Sequence, residues 1–218
     1  SVKKTPEQDE FFLSFDFLGG DSNVFVEPVP LPPGPPGNGE PMPDIGLRTF
    51  EEINATMSAL TTVSTQNPAV FATFQRVKQQ LPTIENLGGF LAAHQMAIAQ
   101  MAIEYCNALV DDPTARANFW PGFGFPANLN TAFGPGADRD LVFDPLVNRI
   151  AFPDGLGIGL ASQPDIAAMK GELNALTDQL TACYNFSTGV DSCEAGRTNT
   201  VVKAVCGATL GNAAMLVQ

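Results

Sequence analysis

The feature that most constrains this fold is a stretch of chain with almost no polar side. From Gly88 to Val110 the sequence reads GGFLAAHQMAIAQMAIEYCNALV, rich in alanine and holding His94 and Cys106. Wound as a helix, Leu87, Leu91, Ala92, Ile98, Met101, Ala102, Ile103 and Leu109 cover most of the circumference. Such a helix needs neighbours on several sides, so the segment predicts the centre of a helical bundle. It is not a membrane span, because no apolar run in the chain reaches the roughly 18 uninterrupted residues required.

Neighbours for it can be read on both sides. Thr49 is an N-cap with Glu51 and Glu52 in the first turn, and Phe50, Ile53, Met57 and Leu60 recur at helical spacing. Asn67-Pro68 starts a second helix, whose buried stripe is predicted as Val70, Phe71, Phe74, Val77 and Leu81, with Pro82 closing it. Residues 111–164 are rich in Gly and Pro, with short helical turns expected near Thr114–Phe119 and Asp138–Val147. Pro164 then opens an amphipathic helix to about Tyr184, carrying Ile166, Met169, Leu173, Leu176 and Leu180 on one side. A last helix runs from about Thr198 to the C-terminus, with small residues at Ala204, Gly207, Ala208, Gly211 and Ala214. Small residues let another backbone come close, and the Ala-rich central helix is the expected partner.

Residues 1–47 follow a different rule. Phe11, Leu13, Phe15 and Phe17 alternate with Phe12, Ser14, Asp16 and Leu18, a period of two that reads as a strand. Gly19-Gly20-Asp21-Ser22 supplies a turn, and Val24-Phe25-Val26 can pair back. Glu27 to Pro43 is so rich in proline that it predicts an extended, semi-rigid spacer. The fold class is therefore mainly α: a disulfide-stapled helical bundle over 48–218, preceded by an extended or β-prone arm and Pro-rich spacer over 1–47.

Four cysteines, without CxxC or any Cys/His cluster, favour disulfides over metal. Cys193 and Cys206 are too far apart along a largely helical segment to meet, since a disulfide needs Cα atoms within about 7 Å. Cys183 and Cys193 can meet across the turn between two helices. That leaves Cys106 with Cys206, tying the central helix to the last. Paired cysteines fit an exported protein working in an oxidising compartment, secreted or at the cell surface, and a chain that opens on Ser1 without a methionine or leader suits either a mature exported chain or a piece cut from a longer one.

The net charge of −12 and the absence of any basic run argue against nucleic acid and anionic membrane as partners. Candidate sites are few. His94 is the only histidine, so every His-dependent mechanism would run through it; its setting among alanines reads as a packed core residue, and no catalytic motif or cofactor site accompanies it. Asp138, Asp140 and Asp144 have spacing reminiscent of a calcium loop but lack its glycine and terminal glutamate. Phe119, Trp120, Phe123 and Phe125 form an aromatic cluster that reads either as a ligand platform, for a glycan or another surface component, or as a plug folded into the end of the bundle. Asn54-Ala55-Thr56 and Asn185-Phe186-Ser187 match the glycosylation sequon.

Three pieces, RTFEEINATMSALTTV (48–63), LPTIENLGGFLAAHQMAIAQMAIEYCNALVDD (81–112) and RTNTVVKAVCGATLGNAAMLVQ (197–218), resemble a helical region of large exported bacterial proteins. Those proteins also carry concanavalin A-like LamG modules and, often, a c-type haem segment. The resemblance implies export and a bacterial surface setting, and carries over no functional residue. This chain has neither a CxxCH haem attachment site nor a long β-rich stretch for a LamG sandwich. The reading that unites these features is an extracellular structural subunit. Its apolar arm (Phe11, Phe12, Leu13, Phe15, Phe17 and Phe25) docks on a neighbouring copy to build an oligomer or filament. The alternative is a secreted glycan- or surface-binding module centred on residues 119–125.

Overall fold

The computed structural model describes residues 48–80, 92–151 and 165–212. The chain divides into two units, Ser1–Pro43 and Asp44–Gln218, and every described residue belongs to the second. The arm with its phenylalanines, the Leu81-Pro82 stop, Leu87, Leu91, Pro164 and Ala214 lie outside the described residues.

The described chain is mainly helical, and two disulfides tie it together. It runs α1 (Phe50–Thr61), α2 (Pro68–Val77), a 3-10 turn (Lys78–Gln80), α3 (Ala92–Asp111), α4 (Pro113–Phe119), α5 (Leu129–Phe133), α6 (Asp140–Leu146), a π turn (Val147–Ala151) and α7 (Ile166–Leu180). A two-stranded hairpin, β1 (Tyr184–Asn185) and β2 (Val190–Asp191), leads into α8 (Arg197–Leu210).

Local chemistry sets most of the boundaries. The Thr49 backbone N–H and hydroxyl both donate to Glu52 Oε2 at 2.7 Å, closing the start of α1. Asn67, Asp112, Asn128 and Asp165 each accept backbone N–H groups at the starts of α2, α4, α5 and α7. Pro68 and Pro113 sit at first-turn positions, where a missing N–H costs nothing. Pro145, by contrast, lies inside α6, and the coil widens into the π turn immediately after it. Gly134 ends α5 in a spot only glycine fits, since a Cβ there would stand 2.3 Å from the Asn130 carbonyl oxygen.

α3 is the axis. It packs against α1 and α2 on one side and α8 on another, while α8 touches α7 and the π turn. Ile53 and Met57 of α1, Val70, Phe74 and Val77 of α2, and Ile98, Met101, Tyr105 and Leu109 of α3 share one buried cluster with Val201, Val202, Val205 and Leu210 of α8. The Phe50 and Phe74 rings stack at 4.0 Å, joining the outer helices to each other.

Two expectations about these helices need correction. Phe71 is not part of the α2 stripe; it is 42% exposed, because the buried face runs through Val70, Thr73, Phe74 and Val77 and leaves its neighbour about a quarter-turn outside. α3 is not enclosed on every side either. Met96 and Ile103 are 61% and 53% exposed. Ile103 lies beside Gly207 of α8, which brings the two backbones close without covering the isoleucine.

Candidate functional site

Among the described residues, the α3–α8 seam has the most extensive helix–helix contact. A Cβ on Gly207 would stand 3.5 Å from Ile103 Cγ1, and one on Gly211 3.5 Å from Ala102 Cβ, so the two helices meet nearly backbone to backbone. Cys106 and Cys206 are bonded across the seam with Cα atoms 5.8 Å apart. Lys203 Nζ pairs with Asp111 at 2.7 Å, and Gln95 Nε2 donates to the Gly211 carbonyl at 3.2 Å. A groove of about 490 Å³ opens along the outer side of this seam, with Ala99, Ile103 and Asn107 on one flank and Thr200, Ala204 and Ala208 on the other. His94 is half-buried near the start of α3.

On the inner side of α3, the Tyr105 hydroxyl donates to Asn54 Oδ1 at 2.6 Å. Burial pushes its pKa up to about 12. Asn54 is itself buried, so the folded chain leaves its side chain no room for a glycan, whereas Asn185 in the hairpin is exposed. Cys183 and Cys193 bond across that hairpin, their Cα atoms 5.1 Å apart.

The aromatic cluster faces inward. Trp120 and Phe119 are each 1% exposed and Phe125 is buried; Phe123 is half-buried. The Trp120 indole donates to the Val142 carbonyl at 3.2 Å, and its ring meets Phe119 and Phe125 at centroid distances of 4.5 and 5.6 Å. A stacking platform needs an open ring face, and Trp120 offers none; these rings plug the bundle.

The acidic trio is engaged by the protein's own groups. Asp140 and Asp144 both hold the Lys170 ammonium, at 3.0 and 2.5 Å, and Asp138 accepts the backbone N–H of Asp140. The Asp144 carboxylate first, then Asp140, raises the Lys170 pKa above its ordinary value. An ammonium therefore stands where an ion bound between Asp140 and Asp144 would sit. Among the described residues no cluster of three or more His, Cys, Asp or Glu side chains is placed to hold a metal.

A second cavity, of about 360 Å³, lies at the start of α8 between Phe125–Leu129 and Asp191–Asn199. The Oδ1 of Asn199 is buried there without a hydrogen-bond partner. Nearby, Arg197 caps the end of α7 by donating twice to the Leu180 carbonyl, as Arg139 does to that of Phe133 at the end of α5. Neither arginine had a local signal in the sequence, because each partner lies in a different element or turn.

No described helix is long and apolar enough to cross a membrane. Compared with family models, with curated proteins and with solved structures, the chain matches none of them.

Proposed function

We propose that this chain is an extracellular structural subunit whose N-terminal arm docks on a neighbouring copy. The observation that carries the reading is that the helical body buries its largest rings, Trp120, Tyr105, Phe119, Phe133 and Phe143, in one cluster of its own side chains. The arm's sequence presents a second apolar set, Phe11, Phe12, Leu13, Phe15, Phe17 and Phe25, before a proline spacer. Burying each phenylalanine is worth about 1.5–3 kcal/mol before ordering costs, enough for a few of them to hold two molecules together. Two disulfides support an oxidising compartment.

Removing residues 1–30 tests the reading. The full chain is expected to scatter light as an oligomer or polymer, and the shortened chain as a monomer with an unchanged helical circular dichroism spectrum. An oligomer that survives the deletion ends the proposal.

A further inference from the structure

We infer that the acceptor for the arm is the groove along α3 and α8 of a second copy. This rests on the self-assembly reading and adds the surface that it lacks. Met96, Ala99, Ile103 and Asn107 recur at steps of three and four along α3, so they form one stripe, and the two largest of them are mostly exposed. Opposite them Ala204 and Ala208 of α8 leave room that larger side chains would have filled.

Length fits occupant to groove. Ala99 to Asn107, which line the groove, cover roughly 12 Å of helix axis and Met96 extends the same face to roughly 16 Å, while the alternating run Phe11–Phe17 spans roughly 20 Å when extended. The Glu27–Pro43 spacer reaches roughly 50 Å as a polyproline helix, well beyond the roughly 30 Å length of α3 itself. The segment can therefore leave its own body and lie along a neighbour's groove.

Charge fits only an apolar contact. Residues 1–47 carry eight acidic against two basic side chains, and residues 48–218 carry fifteen against nine, so each part bears six net negative charges. Lys203, the charged side chain that lines the groove, is already paired with Asp111, so the net charges repel and docking is driven by the rings. Raising salt from about 0.01 M to about 0.1 M shortens the screening length from about 30 to about 10 Å and should tighten the assembly. An assembly that loosens over that range would contradict an apolar groove contact.

The direct test places the photoreactive residue p-benzoylphenylalanine at position 103, in an equal mixture of ¹⁴N- and ¹⁵N-labelled full-length protein. The expected cross-link joins position 103 to residues 11–17 of an oppositely labelled copy. A cross-link only to the arm of the same copy, only to α3 or α8 of another copy, or to neither overturns the inference. Ala208→Trp fills the groove from an exposed position and is expected to yield a folded monomer. If that variant still assembles while the arm deletion does not, the arm docks elsewhere and only this inference falls. Assembly that survives both changes removes the self-assembly reading as well.

Discussion

Along α3 and α8 the chain packs nearly backbone against backbone, through the small residues around Gly207 and Gly211, with a disulfide fastening the contact. Between residues 112 and 150 it packs ring against ring, through short helices broken by glycine and proline, with Trp120 hydrogen-bonded into the middle. The first strategy relies on a covalent link and leaves a groove beside it. The second relies on filling volume. Each therefore has a different weak point.

The largest expected effect is on the fastening. Replacing Cys106 and Cys206 together by alanine should cost about 4–5 kcal/mol, since the bond closes a sequence separation of 100 residues. The same change at Cys183 and Cys193, separated by 10, should cost about 3 kcal/mol. Urea unfolding of both pairs measures the gap, and equal losses would mean that loop size does not govern it.

Trp120→Ala tests the ring-packed region. It empties a fully enclosed site and should cost about 3–5 kcal/mol, with no mechanism for specific loss of glycan retention. A variant as stable as the parent would mean that the ring is not packed as described.

Tyr105 adds a hydrogen-bonded contact on the inner side of α3. Tyr105→Phe leaves Asn54 Oδ1 without its donor and should cost about 1–2 kcal/mol at neutral pH. The folded chain holds the phenol proton up to about pH 12, whereas the unfolded chain releases it near the ordinary value of 10.0. Stability from this group is therefore complete below pH 10 and is lost as pH rises towards 12. Urea midpoints across that window should fall less steeply in the phenylalanine variant than in the parent.

The smallest effect has the opposite sign. A Cβ on Gly207 would meet Ile103 at ordinary van der Waals distance, so Gly207→Ala removes a flexible residue from α8 without a clash. A gain of about 0.5–1 kcal/mol is expected by thermal melting. A loss would show that the seam is tighter than its geometry.

The contrast between the two regions also governs what could be read beforehand. Phe50, Ile53 and Met57 announce α1 by spacing alone, and the cysteine pairs follow from which residues a helix keeps apart. α5 gave no such signal, since Leu129–Phe133 makes barely more than one turn and no period can build up. The inward turn of Trp120 depends on Val142, and the fate of Asp140 and Asp144 on Lys170, in each case a residue more than twenty positions away. The groove was hidden for a related reason. The sequence displayed an apolar helix and a small-residue helix, but only their packing leaves one side of Ile103 uncovered.

The Cys106–Cys206 bond has a consequence for how the molecule is made. A chain delivered from its N-terminus brings out Cys106 first, Cys183 and Cys193 next, and the correct partner last. During that interval the early thiol meets two wrong partners, and any mixed pair must be undone by thiol–disulfide exchange before the final helix can seat. The short hairpin supplies a remedy. By bonding to each other across ten positions, Cys183 and Cys193 withdraw both competitors, so forming the short link first leaves Cys206 as the partner for Cys106.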